Sequence, residues 1–211
     1  MEYDLYVVTD EKIGRGRSHT ELAARAVAGG ADVIQLRDKN LSGRALFDAA
    51  LAVREITADA GALFIVNDRL DVALAAGADG VHLGAGDLPI REARRIAPPG
   101  FIIGASVGSA ATAVGAAAEG ADYVALSPTF ATGSKNDAGP GHGLMMLAEI
   151  RAAVALPLVA IGGITAANVG DVIAAGADGV AVISAVVGED DVTAAARNLR
   201  SRIVAAKAKG R

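Results

Sequence analysis

The amino-acid sequence predicts an α/β protein that folds as a single (β/α)8 TIM barrel over residues 1–211. Three observations lead to this fold class: a four-part repeat, eight short apolar runs that alternate with helical stretches, and few polar residues inside those runs. Strands that are apolar throughout are typical of parallel sheets covered by helices on both faces. A doubly wound open sheet is the alternative, but it usually has five or six strands and does not explain eight near-equal units.

The repeat is a Gly-Ala-Asp turn that recurs four times. Its copies lie 47, 43 and 56 residues apart, in AGGADVIQLR (28–37), AAGADGVHLG (75–84), AEGADYVALS (118–127) and AAGADGVAVIS (174–184). Each segment predicts the end of an alanine-rich helix, which glycine terminates in a left-handed conformation. Ala-Asp then forms a short turn, and the apolar residues after it begin strands 2, 4, 6 and 8.

Four further apolar runs predict the odd-numbered strands. They are LYVVTD (5–10), LFIVND (63–68), FIIGAS (101–106) and LVAIGG (158–163). The stretches between strands predict helices over residues 18–29, 41–60, 69–76, 89–97, 109–119, 143–154, 165–175 and 190–208. Hydroxyl side chains near four helix starts are expected to accept hydrogen bonds from unpaired N–H groups as N-caps. These residues are Ser18, Ser42, Ser109 and Thr165.

The composition excludes several classes of function. The chain has no cysteine, which excludes disulfides, thiolate metal sites and a cysteine nucleophile. Its 20 Lys and Arg against 24 Asp and Glu give a net charge of −4, and it has only 3 Tyr and 4 Phe, which argues against a nucleic-acid partner. No signal peptide or membrane span is predicted, which indicates a cytoplasmic protein. The expected partners are small-molecule substrates, and the sequence allows a homo-oligomer.

In a barrel of this kind, chemistry is expected at the C-terminal ends of the strands. Gln35, Arg37 and Lys39 follow strand 2 at a spacing of two, which points them to the same side. Two neighbouring cations repel each other unless an anion binds between them, although a solvated charge run is the alternative. Asp68 and Asp87 follow strands 3 and 4, and two carboxylates with phosphate oxygens are a usual Mg2+ site. A helix cap or a salt bridge is the alternative for each carboxylate.

A second anion site is expected after strands 7 and 8. Gly162-Gly163-Ile164-Thr165 leads into helix 7, where backbone N–H groups can approach an anion, and Ser184 completes the site. The long loop from Phe130 to Gly143 carries Thr132-Gly133-Ser134-Lys135 and is expected to close over a bound phosphate. A tight turn and an ordinary glycine-rich loop are the alternatives. His82 is expected to be a structural hydrogen-bonding residue, so the residues alone predict a transferase or lyase of phosphorylated small molecules.

Six motifs, in order along the chain, resemble those of the thiamine-phosphate synthase family. They are V-I-Q-L-R-D-K (33–39), V-N-D-R (66–69), G-V-H-L-G-x-x-D (80–87), T-x-S-K (132–135), A-I-G-G-I (160–164) and V-I-S-A (182–185). The resemblance implies a (β/α)8 transferase of thiamine biosynthesis. It would join hydroxymethylpyrimidine diphosphate to thiazole ethyl phosphate, giving thiamine phosphate and pyrophosphate. With the carboxylated thiazole, CO2 would be lost as well.

The resemblance also implies roles for individual residues. The pyrimidine diphosphate would be held by Gln35, Leu36, Arg37, Asp38, Lys39, Asn67, Ser106 and Lys135. Of these, Arg37, Lys39, Ser106 and Lys135 would be catalytic. Mg2+ would be the cofactor, bound by Asp68 and Asp87. The thiazole phosphate would be held by Thr132, Gly133, Ser134, Gly163, Ile183 and Ser184. Pyrophosphate would leave before the thiazole nitrogen attacks, so the site would stabilise charge on the leaving group.

The chain departs from the family pattern at the barrel rim. The family often has glutamine where Ala85 stands and histidine where Gly108 stands, while Ser127-Pro128 replaces Gly-Pro and Ala131 replaces a proline. Two alternative functions therefore stay open. One is a thiazole tautomerase-like barrel, which would have no use for the paired carboxylates and the cations. The other is a non-catalytic paralogue that binds thiazole phosphate without turnover.

Overall fold

Eight parallel strands form a closed barrel, which confirms the predicted (β/α)8 fold. The computed structural model describes residues 3–134 and 139–209. The strands are β1 Leu5–Thr9, β2 Val33–Leu36, β3 Leu63–Asn67, β4 Gly80–Leu83, β5 Ile102–Val107, β6 Tyr123–Leu126, β7 Leu158–Ile161 and β8 Gly179–Val182. Each strand pairs in parallel with the next, and β8 pairs with β1.

Helices follow the strands and cover the outside of the barrel. They are α1 His19–Ala28, α2 Gly43–Ala60, α3 Leu70–Ala75, α4 Ile90–Ile96, α5 Ala110–Glu119, α6 Gly143–Ala153, α7 Val169–Ala174, α8 Ser184–Val187 and α9 Val192–Lys209. Ser18, Ser42 and Ser109 each accept a bond from the backbone N–H three residues on, which confirms them as N-caps. Among the described residues, no helix is both long and apolar enough to span a bilayer.

Two details near the last strands differ from the prediction. The helix expected from residue 165 begins at Val169, because a turn precedes it: Thr165 N donates to Asn168 Oδ1 (2.8 Å), and Asn168 Nδ2 donates to the Gly163 carbonyl (3.0 Å). Thr165 is therefore not the N-cap of α7. Helix α8 was not predicted, because four residues are too few to show a helical period.

The Gly-Ala-Asp repeat does more than turn the chain. Each of its aspartates precedes an even-numbered strand and bonds twice to one residue at the start of the preceding odd-numbered strand. The aspartate N–H donates to that residue's carbonyl, and its carboxylate accepts from that residue's N–H. The four pairs are Asp32 with Leu5, Asp79 with Phe64, Asp122 with Ile103 and Asp178 with Leu158, at N–O distances of 2.7–2.9 Å. These four aspartate clamps fasten the strands in pairs at the N-terminal end of the barrel.

Tyr6 and Tyr123 are the largest fully buried side chains in the described core. The sequence accommodates the Tyr123 ring through a glycine on the neighbouring strand. A Cβ at Gly104 would lie 2.0 Å from Tyr123 Cζ, far inside van der Waals contact, so a side chain at position 104 and this ring position exclude each other. The ring of Tyr123 thereby reaches across β5 and lies 5.6 Å, centroid to centroid, from the ring of His82.

Candidate active site

A cavity of about 520 Å³ opens at the C-terminal ends of the strands, where the fold predicts chemistry. We call it the charged cavity, and its lining comprises Arg37, Lys39, Asn67, Asp68, His82, Gly84, Ala85, Gly86, Asp87, Ser106, Ser127 and Pro128. Residues from the ends of five successive strands therefore meet in one space. Six of the residues expected to contact a diphosphate or a metal are among them: Arg37, Lys39, Asn67, Asp68, Asp87 and Ser106.

The two cations of the charged cavity are held by acidic neighbours. Arg37 is only 12% exposed, and its Nη1 atom lies 3.4 Å from Asp10 Oδ2 after β1. Lys39 is more exposed, with its Nζ atom 4.0 Å from Asp68 Oδ2. The guanidinium of Arg37 has five N–H donors, so contact with Asp10 leaves donors for a ligand oxygen. This arrangement is suited to binding a multiply charged anion.

Asp68 and Asp87 form a carboxylate pair in the charged cavity. Gly84 N donates to Asp87 Oδ2 (2.7 Å), which fixes the orientation of that side chain. Asp68 has a positive φ of 61°, a conformation that costs free energy in a residue other than glycine and clusters at functional sites. Burial, and then the hydrogen bond and negative charge of Asp87, raise the pKa of Asp68 from 3.8 to about 6, against the opposing effect of Lys39 and Arg37. A divalent cation would relieve the repulsion between these carboxylates.

The loops after β6, β7 and β8 form a second, smaller pocket. This glycine pocket is lined by Ser127, Pro128, Thr132, Ser134, Ile161, Gly162, Gly163, Ile164, Ala181, Val182, Ile183 and Ser184. Ser134 Oγ donates to Ser184 Oγ (3.3 Å), which joins the loop after β6 to the start of α8. Five of the residues expected to hold a thiazole phosphate lie here: Thr132, Ser134, Gly163, Ile183 and Ser184.

Gly163 shows why this pocket needs glycine. Its φ is +64°, and a Cβ there would lie 2.7 Å from both the Ala131 carbonyl oxygen and Phe130 Cβ. Next to it, the carbonyl of Gly162 accepts from Phe130 N (3.0 Å). The base of the long loop thus packs directly on the turn after β7. Because α7 begins only at Val169, the N–H groups of that turn, rather than a helix terminus, border the pocket.

The charged cavity and the glycine pocket are adjacent, since Ser127 and Pro128 line both of them. One has cations and carboxylates, while the other has hydroxyl groups and glycine backbone. Two anionic molecules bound in the two spaces would therefore meet over the end of β6. The geometry suits a reaction between two different phosphorylated substrates.

Other residues with an expected role in binding lie elsewhere. Gln35 and Leu36 are buried within β2, and neither they nor Asp38 line the charged cavity. Gly133 does not line the glycine pocket, although both of its neighbours do. Lys135 lies outside the described residues. The substrate contacts expected of these five residues stay predictions.

Asp38 turns away from the charged cavity into a polar cluster. Its Oδ1 accepts from Asn40 N (2.7 Å) and Leu41 N (2.9 Å), and its Oδ2 lies 3.3 Å from His19 Nε2. Burial opposes its ionisation, but these hydrogen bonds lower the pKa of Asp38 below the usual value. With Glu11, His19 and Asp38 offer three potential metal-ligand atoms within 4.8 Å of one another. Hydrogen bonds within the protein already account for this cluster, which holds the loop that presents Arg37 and Lys39.

The sequence interpretation did not place three neighbours in the site. It named Asp10 only as a strand end, whereas the carboxylate lies beside Arg37. His82 was expected only to be a structural hydrogen-bonding residue. Its Nε2 atom does lie 2.9 Å from Ser106 Oγ, but the residue also lines the charged cavity. The ring of His142 lies over Gly108, with its Cε1 atom 3.0 Å from the position of a Cβ there. The small residue at position 108 thus makes room for a histidine from the long loop, a contact that spacing along the chain does not reveal.

Comparison with known proteins identifies relatives of this chain. The family model described as thiamine monophosphate synthase matches residues 5–186. The thiamine-phosphate synthase of Methanoculleus marisnigri is 83% identical over 211 residues, covering all of both chains. That of Methanoregula boonei is 65% identical and covers 98% of this chain and 96% of its own. The solved thiamine phosphate pyrophosphorylase of Pyrococcus furiosus is 43% identical, with a TM-score of 0.90 over 97% of this chain and 96% of that one.

Proposed function

Because the chain belongs to the thiamine monophosphate synthase family, a family of transferases, we propose that it joins hydroxymethylpyrimidine diphosphate to thiazole ethyl phosphate. The products are thiamine phosphate and pyrophosphate, together with CO2 when the thiazole carries its carboxylate. The observation that carries this proposal is the contact between two differently built anion pockets at Ser127 and Pro128. The charged cavity takes the pyrimidine diphosphate, and the glycine pocket takes the phosphate of the thiazole.

The reaction needs a stabilised leaving group rather than a protein nucleophile. The bond between the pyrimidine methylene carbon and the diphosphate oxygen breaks, and its electron pair leaves with pyrophosphate. The thiazole nitrogen then donates its lone pair to the methylene carbon and becomes a thiazolium. Arg37 and Lys39 donate hydrogen bonds to the departing diphosphate, where negative charge grows. Asp10 holds the Arg37 guanidinium in place for this task.

Asp68 and Asp87 are the residues that would hold Mg2+. They provide hard carboxylate oxygens without nitrogen or sulfur ligands, which suits Mg2+. Burial, together with the hydrogen bond and negative charge of Asp87, raises the pKa of Asp68, and a bound cation would offset these effects. When bound, Mg2+ supplies positive charge beside the diphosphate oxygens. The protein holds the two carboxylates in position for the metal. The backbone of Gly84 orients Asp87, and Asp68 is held at a positive φ.

The proposal is tested by following pyrophosphate release from the purified protein given both substrates, with Mg2+ and with EDTA. We expect Mg2+-dependent release in step with formation of thiamine phosphate. Absence of release, with thiazole phosphate still bound, would refute the synthase activity. It would instead support the tautomerase-like or the non-catalytic alternative, which isomerisation of the thiazole phosphate distinguishes.

Mg2+ binding is expected to weaken as pH falls through about 6. Asp68 must be ionised to bind the metal, and its pKa in the folded protein is about 6. Below that value a proton competes with Mg2+, so the affinity should fall about tenfold per pH unit, whereas above it the affinity should level off. Calorimetric titration with MgCl2 between about pH 5 and pH 8 measures this dependence. An affinity that is constant over the whole range would contradict the assignment of Asp68 as a ligand.

Ser184→Ala is expected to raise the KM for thiazole phosphate about tenfold, because one hydrogen-bond donor to a charged group is lost. The KM for the pyrimidine diphosphate should stay unchanged, since Ser184 lines only the glycine pocket. Steady-state kinetics with each substrate varied in turn separates the two values. Ser201→Ala, in the exposed face of α9, is the matched control. An equal rise in both KM values would show that the pockets do not divide the substrates in this way.

A further inference from the structure

Five polar side chains form a continuous hydrogen-bonded chain across the barrel interior, which we call the relay. Gln35 Nε2 donates to Tyr6 Oη (2.6 Å), and Tyr6 Oη lies 3.0 Å from Tyr123 Oη. Tyr123 Oη lies 2.9 Å from His82 Nδ1, and His82 Nε2 lies 2.9 Å from Ser106 Oγ. The relay therefore runs from β2 through β1, β6 and β4 to β5, and it ends at a residue that lines the charged cavity.

The donor at the first link sets the direction of every later link. The amide nitrogen of Gln35 can only donate, so the hydrogen of the buried Tyr6 hydroxyl needs another acceptor, and Tyr123 is the second partner described for it. Tyr123 in turn donates to His82 Nδ1, which must carry no proton. A neutral imidazole then has its hydrogen on Nε2 and donates it to Ser106 Oγ. With its oxygen accepting from His82, the Ser106 hydroxyl can donate its single hydrogen to a ligand in the charged cavity, which Ser106 lines.

The two phenols remain donors under ordinary conditions. Burial is the main cause that raises the pKa of Tyr6 and of Tyr123 well above the usual value for tyrosine. Neither hydroxyl therefore ionises near neutral pH. The link between them is also geometrically constrained, because Gly104 leaves the space that the Tyr123 ring occupies and the ring packs against that of His82.

We propose that the relay fixes His82 as the Nε2–H tautomer and thereby makes the Ser106 hydroxyl a hydrogen-bond donor toward the charged cavity. Ser106 then selects a ligand acceptor atom, such as a pyrimidine ring nitrogen or a diphosphate oxygen, and disfavours a ligand N–H at the same place. Tyr6, Tyr123 and His82 are positioning residues that act through Ser106. The identity of the ligand rests on the proposed function, whereas the direction of the relay does not.

The direction is tested by nuclear magnetic resonance of protein labelled with 15N-histidine, at about pH 8, where an ordinary imidazole is neutral. The chain has only 3 histidines, so the His82 ring can be assigned. We expect a protonated Nε2 and an unprotonated Nδ1. A proton on Nδ1 alone would show that the relay runs in the opposite direction, with Ser106 as an acceptor. Protons on both nitrogens would also overturn the proposal. The measurement needs no substrate, so its outcome is independent of whether the synthase assay succeeds.

Removing one link tests whether the relay controls the tautomer. Tyr123→Phe deletes the hydroxyl that donates to Nδ1, so His82 should show a mixture of both tautomers, and the KM for pyrimidine diphosphate should rise about tenfold. Thr57→Val is the control, because it removes a buried hydroxyl that bonds to the Val53 and Arg54 carbonyls of its own helix, α2, away from the relay. A pure Nε2–H tautomer in folded Tyr123→Phe would overturn the proposal. Should that variant not fold, Tyr6→Phe takes its place. It removes the hydroxyl that links Gln35 to Tyr123, so the same mixture of tautomers is expected.

Discussion

Asp87→Asn is expected to lower Mg2+-dependent pyrophosphate release about a hundredfold or more and to shift the Mg2+ requirement to higher concentration. The orientation of the new side chain follows from a bond that the backbone makes. Gly84 N donates to Asp87 Oδ2, and the amide oxygen of the variant would take over this bond. Its NH2 group would then face Asp68, where the metal is expected. A donor that carries partial positive charge would replace a ligand that carries negative charge.

Pyrophosphate release at varied Mg2+ measures the effect, with calorimetry to follow metal binding separately. Asp59→Asn is the control, since Asp59 is an exposed acid near the end of α2 that lines neither the charged cavity nor the glycine pocket. The circular dichroism spectrum and melting temperature should stay close to those of the unchanged protein. Full activity of Asp87→Asn at limiting Mg2+ would refute the metal site.

Arg37→Met is expected to lower kcat/KM for the pyrimidine diphosphate about a thousandfold. Two effects add. The variant loses the donors that stabilise the departing diphosphate, and it leaves the carboxylate of Asp10, which is 18% exposed, without the guanidinium 3.4 Å away. An uncompensated negative charge beside the cavity repels the diphosphate. The same change should leave the KM for thiazole phosphate close to its original value.

Two further variants separate charge from geometry. Arg37→Lys keeps the positive charge but loses the forked donor set, so its kcat/KM should lie between those of the unchanged protein and Arg37→Met. Arg44→Met removes an arginine that is 84% exposed and should have no effect on either substrate. If Arg37→Met changed the thiazole phosphate KM more than the diphosphate KM, the assignment of the two pockets would have to be exchanged.

The fold and most of the rim were predictable because both depend on local patterns. Apolar runs bounded by Gly-Ala-Asp turns marked the strands, and the rule that strand ends carry the chemistry then selected Arg37, Lys39, Asp68 and Asp87 without any knowledge of contacts. The structure places all four in one cavity. Period-two spacing also predicted that Arg37 and Lys39 share a side.

Contacts between distant parts of the chain could not be predicted from such local patterns. The bond between Tyr6 and Tyr123 joins residues 117 positions apart, and the ring of His142 covers Gly108 from another loop. Asp38 lies between two cavity-lining cations, yet its side chain turns to His19 and to the backbone of the following turn. Which partner a side chain contacts depends on strand register and on competition between hydrogen-bond partners. Neither can be read from a single segment of the sequence.

The aspartate clamps show that the two ends of the barrel have different roles. At the N-terminal end, one hydrogen-bond pattern recurs around the ring in four modules, and none of its aspartates lines the charged cavity or the glycine pocket. At the C-terminal end, the side chains that line those two spaces repeat no such pattern. Substitutions at the catalytic rim, such as Ala85 and Gly108, therefore leave the fastening of the strands untouched. A barrel built in this way can diverge in chemistry at one end while natural selection preserves its architecture at the other.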